Sequence, residues 1–190
     1  MPIDKIIKED VKEIIDEIKD FSLLSGKTIL ITGVNGLIAS YIVETIDYVN
    51  QYLVNPCRVI GIYRSQSDRL AHLLDDKNIE FIRWNIGNQW NMGNPLYDFD
   101  DIKIDYIIHA AGRSTPSYFT EHPIETIDVN LMIRWLLASA RVHNSEIIYF
   151  SSGEIYGNPA IIPTPETYNG NSNVTSSRAP YIESKRCAEA

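Results

Sequence analysis

Apolar residues recur along this chain with two alternating periods. Between residues 3 and 20 they fall on one helical stripe: Ile3, Ile7, Val11, Ile14, Ile15 and Ile18 share a face, with Lys, Asp and Glu opposite. KTILIT (27–32) replaces that spacing with a continuous β-branched run that stops at a glycine turn. Helical spacing returns in NGLIASYIVETIDYVN (35–50). RVIGIY (58–63) reads as a second strand, SDRLAHLLDD (67–76) as a short helix, IEFIRW (79–84) as a third strand and KIDYIIHA (103–110) as a fourth. HPIETIDVNLMIRWLLASARVHN (122–144) predicts one long helix entered through a short irregular segment. SEIIYF (145–150) is a fifth strand, and YIESKRCAEA (181–190) begins a last helix.

Near-continuous apolar strands separated by helices predict a parallel sheet covered on both faces, the α/β class. Residues 1–25 are expected to form an N-terminal helical extension and residues 26–190 a single α/β domain. The segment 157–180 is rich in Pro, Asn, Ser and Thr, and loops of that length inside a domain tend to be functional or disordered.

Composition narrows the function classes. The 190 residues are 44% hydrophobic and 22% charged with a net charge of −8, so a nonspecific nucleic-acid role is excluded for want of a basic tract. Cys57 and Cys187 have no metal spacing, and His72, His109, His122 and His143 form no ligand pattern, so no metal site is expected. The first twenty residues are charged throughout, unlike a signal peptide. No apolar run approaches the roughly 18 residues of a membrane span, so the expectation is a cytoplasmic protein without a membrane partner. Asn173-Val174-Thr175 is a sequon, a triplet common by chance.

Chemistry concentrates at three places. In TGVNGLIAS (32–40), Gly33 and Gly36 permit a sharp turn and the next helix aims its free amides at it, an anion site suited to a pyrophosphate. Ala39 allows close helix-on-strand packing. At the end of the second strand an acidic residue would bind the adenosine ribose of NAD, whereas an arginine accommodates the extra phosphate of NADP. Here the residues are Tyr63-Arg64-Ser65. Arg64 leans toward NADP or toward stacking on adenine, and a plain surface arginine is an equal alternative. Third, Tyr181 and Lys185 are four apart and share a helix face; a lysine charge near a phenol favours the phenolate and makes Tyr181 usable as a base.

Five ordered motifs, TGVNGLIAS, HAAG (109–112), DVN (128–130), SSGEIYG (151–157) and YIESK (181–185), resemble the extended short-chain dehydrogenase/reductases. Within these they resemble the nucleotide-sugar epimerase, dehydratase and decarboxylase group, from about Lys27 to Ala190. The resemblance implies a Rossmann-type doubly wound sheet of order 3-2-1-4-5. It implies that Gly33, Asn35, Gly36, Leu37 and Ile38 hold the pyrophosphate of NAD, with NADP as the alternative. Tyr63 and Arg64 would lie near the adenosine, Asn85 and Ile86 near adenine, and Ala110, Ala111 and Gly112 under the ribose. Asn130 joins this cofactor set. Ser152 would bond the substrate hydroxyl and Tyr181; Tyr181 would take the proton from a sugar 4-hydroxyl; Lys185 would hold the nicotinamide ribose.

Glu154 refines the expectation. Uronate decarboxylases of this kind carry Ser-Glu after the catalytic Ser/Thr and 4,6-dehydratases Asp-Glu, whereas simple 4-epimerases have small or neutral residues. A carboxylate there can act on the acidified C5 proton of a 4-keto sugar. Gly153-Glu154 keeps that base and lacks the acid of a dehydratase; a supporting role for Glu154 in the loop or on a substrate hydroxyl is the alternative. The expected function is transient C4 oxidation of a nucleotide-diphosphate sugar by bound NAD(P), in a homodimer. The alternatives are an NADPH-dependent reductase of a keto sugar or small carbonyl and a non-catalytic nucleotide-binding scaffold. The resemblance also implies a long further segment after the last helix. The chain is therefore expected to carry the cofactor half and the catalytic residues without the substrate domain, with weak nucleotide binding at most and little turnover alone.

Overall fold

The structure, a computed structural model of the 190-residue chain, describes residues 3–18, 20–65, 67–84 and 102–190. Five parallel strands form one sheet in the order β3-β2-β1-β4-β5: β1 (Thr28–Thr32), β2 (Arg58–Tyr63), β3 (Ile79–Arg83), β4 (Tyr106–His109) and β5 (Glu146–Tyr149). The order meets the sequence-based expectation. Because successive strand residues point to opposite faces, Ile29 and Ile31 enter one core and Leu30 the other. The first core is closed by α2 (Leu37–Asn50) through Ala39, Val43 and Ile46. The second is closed by α5 (Ile133–His143) through Ile133, Leu136 and Ala140, with Met132 just before it. Near-complete burial of Leu30, Ile31, Ile60 and Ile107 explains why these strands read as unbroken apolar runs.

α1 (Ile3–Glu17) packs on α2, burying Ile7 and Val11, and the Tyr41 hydroxyl donates to Asp10 Oδ2 at 2.5 Å. The far half of its stripe is uncovered: Ile14 and Ile18 are 38% and 40% exposed. Two helices depart from expectation. Residues 68–73 form a tight 3-10 turn, kinked at Leu70, rather than an α-helix over 67–76. Ser67 starts it by accepting the Arg69 N–H, and Leu70 and Leu73 anchor it in the core. The single helix expected over 122–144 is divided into α4 (Pro123–Leu131) and α5, preceded by α3 (Pro116–Glu121). His122 leaves the helical region (φ −127°, ψ 61°) because the ring of Pro123 crowds a preceding residue in that conformation. Met132 stays helical between α4 and α5, so only the hydrogen-bond ladder is interrupted there. α5 ends at left-handed Asn144, and α6 (Ala179–Glu189) is the final helix. Among the described residues no helix is long and apolar enough to cross a membrane.

Polar links fasten β1 to β4. Asp105 Oδ2 accepts the Thr28 N–H, and Lys27 and Lys103 reach Oδ1. Burial acts to raise the Asp105 pKa, but the donors Lys103, Thr28 and Lys27 outweigh it and hold the carboxyl below its ordinary value. At the other end Thr32 Oγ1 lies 2.7 Å from His109 Nδ1 and accepts the Ala111 N–H. His109 is fully buried and stacks on Tyr149, and its pKa falls to about 3 through burial and then the Lys185 charge.

A histidine with a folded pKa below its unfolded value binds a proton more readily when unfolded. Stability attributable to His109 is therefore present above about pH 6.5 and lost progressively as pH falls toward 3; Asp105 adds loss of the same sign in acid. Urea midpoints measured from pH 7.5 to 4 should fall, and His109→Gln should flatten the pH 6.5 to 4 portion. An unchanged slope in that variant would exclude His109 as the source.

Candidate functional site

A cleft of about 330 Å³ opens at the carboxyl ends of β1, β2 and β4. It lies where the sheet order reverses between β1 and β4, the place where open α/β sheets bind ligands, and its size suits a small-molecule site. Gly33 makes its wall thin. Its φ of +76° is left-handed, and a Cβ there would come within 2.8 Å of Ala111 Cα, so only glycine lets the β1 and β4 loops touch. Gly36 takes the extended conformation that precedes α2, leaving the first amides of a 14-residue helix facing the turn. Leu37 and Ile38 occupy that first turn and are exposed. Asn35 Nδ2 donates to Ser65 O at 2.6 Å, tying the glycine turn to the end of β2.

Gly33, Asn35, Gly36, Tyr63, Arg64, Ala110, Ala111 and Gly112 all line this cleft. Asn85 and Ile86 lie outside the described residues. Sequence reasoning missed Trp84, Arg113 and Glu125, which also line it. Trp84 follows β3 directly and could have been found as the aromatic end of that strand.

Beside Gly112, at the edge of the cleft, α4 packs against α6. Asn130 Nδ2 donates to Ser184 Oγ at 2.8 Å, joining the two helices, while Asn130 Oδ1 is buried without a partner among the described residues. A Cβ on Gly112 would stand 3.7 Å from Lys185 Nζ and 3.9 Å from that Oδ1. Lys185 is 4% exposed; its ammonium donates to Phe150 O at 2.7 Å and lies 4.7 Å from the Tyr149 ring centre. Burial depresses its pKa to about 8, partly opposed by Glu189. Tyr181, one turn earlier, is buried with its ring stacked on Phe119 at 4.9 Å.

β5 delivers the remaining residues. Ser152 Oγ accepts the Glu154 N–H at 3.2 Å and starts the short turn Gly153–Tyr156. Glu154 is not left free: Arg178 Nε donates to its Oε2 at 3.1 Å and Arg178 Nη2 pairs with its Oε1. The same guanidinium lies 5.7 Å from the centre of the Phe119 ring, so Glu154, Arg178, Phe119 and Tyr181 form one contiguous group. Arg178 carried no sequence signal beyond its position three residues before Tyr181.

These residues fit a dinucleotide. The glycine turn supplies an amide-lined anion seat, the flat Gly112 floor follows it, and the unpartnered Asn130 oxygen and the Lys185 ammonium adjoin that floor. Sheet, turn and cleft together define a Rossmann-type dinucleotide-binding domain. The sequence profile described as the NAD dependent epimerase/dehydratase family matches residues 29–190, and the chain belongs to that family. It is 30% identical over 168 residues to UDP-glucuronic acid decarboxylase 5 of Arabidopsis thaliana, covering 87% of this chain and 45% of the relative. It is 28% identical to UDP-glucuronic acid decarboxylase 1 of Xenopus tropicalis over 90% of this chain and 38% of that one. The chain thus spans under half the length of these relatives. Among solved structures, UDP-glucose 4-epimerase from Bifidobacterium longum in complex with NAD+ and UDP superposes with a TM-score of 0.63 at 27% identity. That match covers 86% of this chain and 47% of the epimerase. The PbgP3 protein of Burkholderia pseudomallei shares the fold with a TM-score of 0.65 at 23% identity, over 87% and 47% of the two chains.

Gly33→Ala should be destabilised by about 1–3 kcal/mol through overpacking and φ strain, and should lose dinucleotide binding. Denaturant melts with binding titrations check this; a wild-type melt with intact binding would show that the β1 and β4 loops can separate without harm.

Proposed function

We propose that the protein modifies a nucleotide-diphosphate sugar through transient oxidation at C4, and that this chain carries the dinucleotide site and the catalytic residues. The reading is supported by Lys185 Nζ and Asn130 Oδ1 lying beside Gly112 of the glycine-turn cleft, with Tyr181 one helical turn before Lys185. A scaffold or plain binding module has no use for that set. When bound, the nicotinamide supplies a hydride acceptor at C4 and later a hydride donor. Tyr181 Oη takes the proton of the sugar 4-hydroxyl, and Ser152 holds that hydroxyl in place. Lys185 lends positive charge to the developing phenolate and bonds the cofactor ribose, with Asn130 Oδ1 as a further acceptor.

Uronate decarboxylation is the branch best supported, by the decarboxylase relatives and by the Ser152-Gly153-Glu154 sequence. A 4-keto uronate is a β-keto acid: its C5–C6 bond breaks, CO₂ leaves, and the electron pair is held on the C4 oxygen as an enolate. C5 then takes up a proton, and Glu154, oriented by Arg178, manages that proton. Depression of the Lys185 pKa to about 8 leaves it mostly charged at neutral pH, the form this chemistry uses. The same reading extends to a cytoplasmic homodimer packed on the helices that follow β4 and β5; a monomeric mass in light scattering would remove the dimer.

Full-length protein supplied with NAD and UDP-glucuronate should release CO₂ and a UDP-pentose with no net change in the cofactor. Tyr181→Phe and Glu154→Gln should each lower kcat by about 10²–10⁴-fold, with smaller effects on KM. Activity untouched by Tyr181→Phe would end the catalytic assignment, and stoichiometric consumption of NADPH would favour the reductase reading.

A further inference from the structure

We propose that Asn169-Gly170 is a site of spontaneous deamidation, where the asparagine becomes aspartate or isoaspartate, while the fold shields the other Asn-Gly pair, Asn35-Gly36. The inference goes beyond the proposed function and does not rest on it. Asparagine before glycine is the pairing most open to this reaction, because a residue without a side chain leaves its backbone nitrogen unhindered. The sequence holds two such pairs. In the reaction the glycine nitrogen attacks the asparagine Cγ: an N–Cγ bond forms, the Cγ–Nδ2 bond breaks, and ammonia leaves with the proton given up by the backbone amide. Water then opens the cyclic imide at either carbonyl, and no oxidant or reductant is required.

The two pairs differ in what holds the reacting groups. At Asn35-Gly36 both groups are engaged: the Gly36 N–H donates to Gly33 O at 2.8 Å, and Asn35 Nδ2 donates to Ser65 O at 2.6 Å. Asn35 is half-buried and Gly36 leads directly into α2, so attack there requires the glycine turn to open first. At Asn169-Gly170 neither group is engaged. Among the described residues the Gly170 N–H and the Asn169 side chain make no hydrogen bond, and Asn169 is exposed in a stretch without regular structure. What is held there is the Asn169 carbonyl, which accepts from Arg186 Nη1 at 3.1 Å. Gly170 has a φ of +89°, and a Cβ on it would overlap that guanidinium nitrogen, so the position requires glycine. Arg186 also suits the product. In isoaspartate the main chain runs through the former side chain, and the former Asn169 carbonyl becomes a free carboxylate. The oxygen that Arg186 already holds gains negative charge, and a neutral contact becomes an ion pair. The modification therefore ages the segment before α6 and spares the turn on which the cleft is built.

Incubation of the chain in mildly alkaline buffer made with heavy-oxygen water, followed by proteolysis and mass spectrometry that separates aspartate from isoaspartate, tests this. A parallel incubation in urea gives the rate of each pair with the fold removed. In the folded chain Asn169 should take up heavy oxygen about tenfold or more faster than Asn35, and within about threefold of its own rate in urea. In urea the two pairs should react within about threefold of each other. Asn169→Gln, whose amide lies one carbon too far for the imide to close readily, should abolish the faster signal, leave the Asn35 rate unchanged and melt like the parent. Asn35 keeping pace with Asn169 in the folded chain overturns the inference. So does an Asn169 slowed about tenfold or more by folding. A faster signal that survives Asn169→Gln also overturns it, by assigning the reaction to another asparagine.

Discussion

Everything at the functional end of this molecule depends on how closely two loops approach each other. Gly33, leaving β1, lies against the backbone of Ala111, leaving β4. Thr32 sits at the centre of this approach, its hydroxyl shared between the His109 ring and the Ala111 amide. Burying three polar groups at one point is tolerable because each bonds another there, although His109 Nε2 is buried without a partner among the described residues. The arrangement fixes the separation of β1 and β4 at the switch point, and so the position and depth of the cleft. The two apolar cores hold the sheet together, but cores of Ile, Leu and Val would serve many α/β domains equally well.

Charge is distributed against the overall balance of the chain. The protein carries a net charge of −8, yet its cleft has an exposed and a half-buried guanidinium among its lining and a buried ammonium beside Gly112. Local fields in a partly desolvated cleft outweigh a diffuse surface charge of opposite sign. The two cationic regions differ in kind. Arg64 is solvated and can adapt to what it meets, whereas Lys185 is fixed by the Phe150 carbonyl and pays for burial with a depressed pKa. The two kinds of cation thereby occupy different physical environments around one cleft.

Much of the fold was legible from the sequence because its strands are buried on both faces and its helices on one. The order of the strands followed from the glycine turn and the ordered motifs. Local chemistry was less fully read: the break at His122 follows from Pro123 and was available in the sequence, and the 3-10 turn at 68–73 was not, since short amphipathic stretches do not distinguish helix types. Partnership was the part sequence spacing could not supply. Glu154 was visible as an unusual carboxylate, but Arg178 pairs with it across 24 residues; Asn130 meets Ser184 across 54 and Thr32 meets His109 across 77. The four-residue spacing of Tyr181 and Lys185 put both on one helical face, while the acceptor Lys185 chooses is set by where β5 ends.

Arg186 closes the account from the other side of α6. Its Nη1 donates to the carbonyls of both Ile155 and Asn169, and Asn171 bonds the backbone on either side of Gly157. The segment between is therefore pinned at its two ends and cross-linked by the Ala160 N–H donating to the Tyr168 hydroxyl, while Ile161 and Ile162 at its tip are exposed. Lengthening such a closed loop costs only a slowly growing entropy. Its tip can gain, lose or exchange residues over evolutionary time without displacing Glu154 or the tyrosine helix. The frame that holds Glu154 and Tyr181 and the exposed tip of this segment are mechanically separable, and a single guanidinium marks the boundary.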